Sequence, residues 1–102
     1  MQLIANLSDM IEEELEDADK YIRCAMKHKE DNLKLADTFY KISVEEIGHM
    51  SLLHDQVVAI ISDYRKERGE PPEKMLGIYE YLHKKHKNRA DEIKVLQALY
   101  KG

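Results

Sequence analysis

Residues 45–50 read Glu-Glu-Ile-Gly-His-Met, a stretch that contains the spacing Glu46-x-x-His49. Residues three positions apart share one face of an α-helix, so this carboxylate and imidazole can reach one ion together. A carboxylate on an apolar stripe is costly unless it is paired, hydrogen-bonded or metal-bound. Both residues fall in register with apolar neighbours that recur in steps of three and four: Leu35, Phe39, Ile42, Leu53 and Ile60. We therefore expect Glu46 and His49 to face the apolar side of a helix rather than solvent, and to bind a metal.

The whole chain has the composition of a helical domain. It has 102 residues, of which 43% are hydrophobic and 35% charged, with only four glycines and two prolines. The hydrophobic periodicity predicts a single all-α domain with helix 1 at about 3–29, helix 2 at about 33–67 and helix 3 at about 72–100. The turn at Asp31-Asn32 is short, so helices 1 and 2 should form an antiparallel hairpin.

Two helices carry more apolar surface than one neighbour can cover. Helix 2 has a second stripe beside the first, made of Ala36, Tyr40, Ile47, Met50, Val57, Ile61 and Tyr64. One stripe can face helix 1 or a second chain, and the other can face helix 3. We therefore predict a homodimer or a higher homo-oligomer.

Helix 1 supplies a third polar residue on an apolar stripe, Glu14. This stripe consists of Ile4, Leu7, Ile11, Glu14, Ala18, Tyr21 and Ala25. Glu14 lies 17 residues before Asp31, and His49 lies 17 residues after Asn32. In a hairpin with a short turn, residues equidistant from the turn lie level, so Glu14 should meet Glu46 and His49.

One hairpin then offers two glutamates and one histidine, and two hairpins offer twice that set. Four glutamates and two histidines are the ligands of di-iron carboxylate four-helix bundles. Carboxylate oxygens can bridge and neutralise two cations, while each imidazole caps one of them. The predicted fold is thus a helical hairpin with a third helix, and two such chains form a four-helix bundle from their hairpins.

The chain resembles the ferritin-like di-iron proteins of the short, half-bundle kind and is similar to the encapsulated ferritins. The matching residues are Glu13-Glu14-Leu15-Glu16, Tyr21 and Glu45-Glu46-Ile47-Gly48-His49, within about residues 10–60. The resemblance implies a ferroxidase site shared between two subunits, with two iron ions per dimer. Ferrous iron would be oxidised there by dioxygen or peroxide, for iron storage or detoxification.

The resemblance also assigns roles to single residues. It implies that Glu14, Glu46 and His49 are metal ligands, that Glu13 and Glu16 are carboxylates on an entry route, and that Tyr21 is a tyrosine beside the site. An encapsulin shell is a further partner to consider, although no loading peptide is evident after helix 3.

Two alternatives stay open. The sequence Glu46-Ile47-Gly48-His49-Met50 also resembles that of rubrerythrin-like and manganese-catalase-like bundles. This resemblance implies, as the alternative, a peroxide-reacting protein with manganese or a mixed metal pair. The other alternative is a metal-free helical oligomerisation module, in which Glu14, Glu46 and His49 form a hydrogen-bond network that fixes register.

Helices 2 and 3 carry further candidate ligands. Glu80 and His83 repeat the Glu-x-x-His spacing, and His54 lies on the second stripe of helix 2. We interpret Glu80 and His83 as a surface or interface pair and His54 as a core or interface histidine, with an accessory metal site as the alternative. His86 lies on the apolar face of helix 3 and is interpreted as a core residue.

Charge and cysteine content exclude some classes of protein. The net charge of −4 gives no electrostatic basis for binding nucleic acid. The sequence has no apolar run near the ~18 residues of a membrane span. Cys24 is the single cysteine, which permits no intrachain disulfide and suits a reducing compartment. We expect a cytoplasmic protein.

Overall fold

The computed structural model describes residues 2–102, which form three α-helices and no strand. Helix α1 spans Gln2–His28, α2 spans Leu33–Arg68 and α3 spans Glu73–Lys101. This confirms the all-α, three-helix prediction, and each helix end lies within one residue of its expected position. No helix in this part of the chain combines the length and the apolar character that a bilayer span requires.

Local signals in the sequence end and begin these helices. The side chain of Asn32 accepts a hydrogen bond from the backbone N–H of Leu35 at 3.1 Å, which caps the first turn of α2. Gly69 ends α2 with a φ of 81°, a conformation that side chains disfavour, and its N–H donates to the carbonyl of Arg65. Pro72 occupies the N-cap of α3, where its missing N–H costs nothing.

The helices form an elongated bundle of 56 × 19 × 17 Å. Helices α1 and α2 make the largest contact and run antiparallel, while α3 returns alongside them and touches α1 more than α2. The radius of gyration is 16.4 Å, whereas a globular chain of this length averages about 13 Å. A single chain of this shape leaves much of the surface of its helices uncovered.

A buried polar chain ties the three helices together. The hydroxyl of Ser43 donates to the backbone carbonyl of Ala18 at 2.7 Å, and the amide of Gln97 donates to the Ser43 oxygen at 2.9 Å. Ser43 and Gln97 are both buried. Because an unmatched buried polar group is costly, this chain fixes the register of α1, α2 and α3 at one level.

The buried face of α1 differs from the predicted one. Its buried residues are Ile4, Ser8, Ile11, Leu15, Ala18, Ile22 and Ala25. Leu7, Glu14 and Tyr21, which the sequence pattern places on the apolar stripe, are only partly buried. The reason is that α1 packs against both other helices, so its buried face is centred between them.

The buried face of α2 is also displaced, and His49 is more exposed in the single chain than the sequence pattern predicts. The buried residues of α2 are Ala36, Ser43, Ile47, Met50, Val57 and Ile61, most of which belong to the second stripe. The first stripe lies at the edge, so the His49 side chain is 54% exposed instead of facing the core, and Glu46 is only partly buried. Helix α3 packs on the other side of the hairpin, so the buried core lies on that side.

We call the uncovered side of the hairpin the open face. It comprises Leu7, Glu14 and Tyr21 on α1 together with Leu35, Phe39, Ile42, Glu46, His49 and Leu53 on α2. The hydrogen bonds, ion pairs and aromatic contacts between α3 and the hairpin within residues 2–102 all involve other residues. Within residues 2–102 the open face is therefore a partly apolar surface that makes no such contact with α3.

Candidate metal centre

Glu14, Glu46 and His49 meet at the middle of the open face. One ligand atom from each lies within 4.8 Å of the other two, and no other such trio of His, Cys, Asp or Glu occurs in residues 2–102. The Nδ1 of His49 is 3.4 Å from Oε2 of Glu14 and 3.8 Å from Oε2 of Glu46. The register predicted from the turn thus brings together the three residues that the sequence singled out.

The position of the trio follows from the packing below it. Ser43 is fixed to the backbone of Ala18 on α1, and Glu46 lies one helical turn after Ser43. Glu14 lies one turn before Ala18 on the antiparallel helix, so both carboxylates reach the same level. His49 follows one turn further along α2 and leans toward them from the solvent side.

The two glutamates stand close enough to share a proton. Their side chains are 25% and 18% exposed for Glu14 and Glu46 respectively. When Glu46 is protonated it donates a hydrogen bond to Glu14. That bond, partial burial and the negative charge of Glu14 raise the pKa of Glu46 to about 7, although His49 acts in the opposite direction. When both carboxyl groups are ionised, the repulsion between their negative charges destabilises this arrangement.

One carboxylate oxygen of this pair has no hydrogen-bond donor among residues 2–102. Oε2 of Glu14 is buried, and it accepts no hydrogen bond from any group in the described chain. Nδ1 of His49 lies 3.4 Å from this oxygen, which is too far for a good hydrogen bond. Buried polar atoms without a partner are rare in proteins, and many of them mark an ion or water site.

The donor set suits a divalent metal. Two carboxylates and one imidazole provide hard oxygen donors and one nitrogen donor, a combination that iron, manganese and zinc all accept. A cation between the glutamates would satisfy Oε2 of Glu14 and offset the repulsion that raises the pKa of Glu46. Three ligands amount to half of the set that a two-metal bundle uses.

The other residues assigned near the site lie around it rather than in it. Tyr21 is two turns from Glu14, and its ring stacks on Phe39 with 6.0 Å between centroids. Glu13 and Glu16 are exposed and do not belong to the trio. These positions are compatible with a neighbouring tyrosine and with surface carboxylates, and they add no ligand to the trio.

The accessory candidates lie elsewhere. His54 and His83 contact each other between α2 and α3, whereas Glu80 is exposed. His86 is buried, as predicted for a core residue, and its Nε2 is 3.4 Å from Oε1 of Glu12. None of these residues joins the trio on the open face.

Sequence reasoning missed the polar residues that position the site, namely Ser43 and Gln97. A signal for Ser43 was present, because it falls in helical register with Ala36, Ile47 and Met50 on the buried stripe. A hydroxyl at such a position requires a buried partner. The partner itself, a backbone carbonyl on α1, could not be identified from the sequence.

Comparisons of this chain with protein-family models, with curated proteins and with solved structures find no match. Its function is therefore inferred from the residues of the site.

Proposed function

We propose that two copies of this chain pack open face to open face and oxidise ferrous iron at a di-metal site that both copies complete. Each copy would supply Glu14, Glu46 and His49. The observation that carries the proposal is the buried Oε2 of Glu14, which accepts no hydrogen bond from residues 2–102 and lies beside a second carboxyl group of raised pKa. A cation satisfies this arrangement, and a second copy supplies the ligands that one chain lacks.

The surroundings of the trio support a second copy as the partner. Leu35 is 38% exposed, and Phe39, Ile42 and Leu53 are only partly buried beside the trio. Packing two such faces about a two-fold axis would bury these side chains and build a four-helix bundle from two hairpins. Because α3 lies on the other side of the hairpin, it would not obstruct that contact.

The proposed reaction takes ferrous iron as its substrate. Two ferrous ions each lose one electron, and dioxygen takes up both electrons and two protons to become hydrogen peroxide. With peroxide as the oxidant, the two electrons and two protons yield two water molecules. The four carboxylates of the dimer would stabilise the higher charge of the ferric product, and the imidazoles would hold the ions in position.

Glu46 has a further part in this proposal. With a pKa of about 7, its carboxyl group holds a proton in part of the metal-free population at neutral pH. Arrival of a cation would displace that proton, since metal ligands bind in their deprotonated form. Uptake of iron would then be coupled to proton release, and affinity would fall as the pH drops.

The same ligands would serve a peroxide-reacting protein that uses manganese or a mixed metal pair. The competing proposal of another class is a metal-free oligomerisation module, which the contact between His49 and Glu14 favours. In that case Glu14, Glu46 and His49 would contact one another without an ion and fix the register of the helices. Metal content separates these alternatives, because the module needs none.

An oxidation assay with matched variants tests the proposal. Metal-free protein is loaded with ferrous iron without oxygen and then exposed to dioxygen or peroxide, while ferric absorbance is followed. We expect Glu46→Gln to slow oxidation by at least about tenfold, whereas Glu45→Gln, an exposed neighbour, retains the wild-type rate. Equal rates for both variants, or a wild-type rate no faster than iron in buffer, would refute the ferroxidase proposal.

A further inference from the structure

A pair of histidines joins α2 to α3 on a different side of α2 from the open face. Nε2 of His54 lies 2.6 Å from Nδ1 of His83, and the two rings are nearly parallel, with 4.5 Å between centroids. His54 follows His49 by five residues, which turns it about 140° around the helix axis. The pair is therefore separate from the trio on the open face.

The short contact brings together two ring nitrogens, one from α2 and one from α3. In two neutral imidazoles the facing nitrogens share one proton. Metal binding would release that proton or move it to the other nitrogen of its ring. Burial and the neighbouring His83 lower the pKa of His54, which keeps that ring uncharged near neutral pH. An uncharged imidazole is the form that binds a metal.

A neighbouring aromatic ring orients one histidine of the pair, and a cleft connects the pair to solvent. The ring of Tyr79 stacks on His83 at 5.9 Å between centroids, which limits the orientation of that imidazole. A cleft of about 350 Å³ adjoins the pair and is lined in part by Asp55, His86 and Asp91. Because this cleft is open, water can reach the pair and complete the coordination of a bound ion.

We propose that His54 and His83 bind one divalent transition-metal ion of the zinc, copper and nickel class and thereby link α3 to α2. Imidazole nitrogen suits these ions better than the harder cations that carboxylates prefer. Zinc–nitrogen bonds of about 2.0–2.1 Å put two ligand nitrogens roughly 3.3 Å apart. The rings would therefore separate by less than about 1 Å, a change within reach of side-chain rotation.

The location gives the ion a structural consequence. Helices α2 and α3 share the smallest contact of any helix pair in the bundle. A ligand from each helix on one ion would add a link where packing is weakest, as metal binding to the native state stabilises it by mass action. This second site does not depend on the iron chemistry proposed for the open face.

Calorimetric titration with zinc tests the proposal in the full chain. The variant Glu46→Gln/His49→Asn serves as the background, because it disables the trio on the open face. We expect one zinc ion per background chain and a rise in melting temperature of at least about 3 °C at saturation. Adding His54→Asn or His83→Asn should weaken zinc binding by at least about tenfold, while adding His28→Asn, a surface histidine, should leave it unchanged.

Two results would overturn the proposal. One is a folded background protein that takes up no zinc, and the other is zinc binding that survives both His54→Asn and His83→Asn. If those variants fail to fold, nitrogen NMR of the wild-type chain decides instead. Zinc should shift the Nε2 resonance of His54 and the Nδ1 resonance of His83, and unshifted resonances at saturating zinc would contradict the assignment.

Discussion

Nδ1 of His49 lies 3.4 Å from Oε2 of Glu14 across the α1–α2 hairpin, yet that oxygen accepts no hydrogen bond from the part of the chain that the structure describes. The two residues come from different helices, and the register of the hairpin brings them to one level. Their contact stands at the middle of a face that α3 leaves uncovered. A cation between them and Glu46 would resolve both the repulsion of the carboxylates and the unsatisfied oxygen.

The first prediction concerns the stability of the metal-free protein against pH. A carboxyl group whose folded-state pKa is raised to about 7 stabilises the fold below its unfolded pKa. That stabilisation is lost as the pH rises through 7. We expect Glu46→Gln to be more stable than the wild type at pH 8, by on the order of 1–2 kcal/mol. At pH 4 the two should be nearly equal.

Urea denaturation at pH 4 and pH 8 in the presence of a chelator measures this difference. Burial lowers the pKa values of His54 and His86, so these residues favour the fold at higher pH, opposite to Glu46. The comparison between variant and wild type cancels their contribution. Glu45→Gln is the control and should follow the wild type, and a Glu46→Gln variant no more stable than wild type at pH 8 would contradict the carboxylate pair.

The second prediction concerns the ligand on α1. Glu14→Gln keeps the size of the side chain but removes its charge, so we expect affinity for ferrous or manganous ion to fall by at least about tenfold. Glu13→Gln, at the exposed position next to Glu14, should keep the wild-type affinity for the metal ion. Equilibrium dialysis with elemental analysis checks both variants. Comparable loss in the two variants would indicate a diffuse acidic surface instead of a site.

The third prediction concerns the open face as an interface. Ile42→Lys places a charge on this face, one turn from Glu46, and we expect it to convert the proposed dimer to a monomer. Val44→Lys is the matched control, because Val44 is 43% exposed and lies about 200° around α2 from Ile42. Sedimentation analysis measures the mass, and circular dichroism checks that helix content is kept. A dimeric Ile42→Lys variant would place the interface elsewhere.

The fourth prediction concerns the buried polar chain under the site. Ser43→Ala removes the hydroxyl that donates to Ala18 and accepts from Gln97. Both partners are left unmatched, so the free energy of unfolding should fall by about 1–3 kcal/mol. Ser51→Ala, at an exposed position of the same helix, should change it by less than about 0.5 kcal/mol. Thermal and urea denaturation check the pair, and equal stability of the two variants would contradict the role of Ser43.

That Glu14, Glu46 and His49 lie at the same height along the hairpin could be predicted, because it depends only on local rules. A short turn makes the helices antiparallel, and the distance of each residue from the turn fixes its height. The same rules gave the helix ends, since Asn32 and Gly69 are residues that begin and end helices for known physical reasons. None of these inferences requires knowledge of long-range packing.

Which stripe of α2 faces the core could not be predicted in the same way. Both stripes are apolar, and the choice depends on where α3 packs, which periodicity does not encode. Tyr100 shows this dependence, since its hydroxyl donates to Asp37 and its ring packs on Tyr40, so that the end of α3 is anchored to the start of α2. The contact between His54 and His83 likewise depends on where α3 packs against α2.

Native mass spectrometry of the full chain after anaerobic loading with ferrous iron tests the central claim most directly, because it reports subunit number and metal number together. We predict a dimer that carries two iron ions. Glu14→Gln should give a dimer with little or no bound iron, since removing a ligand leaves the apolar contact intact. A wild-type protein that stays monomeric, or a dimer that binds no iron, would contradict the claim that two open faces complete one metal site.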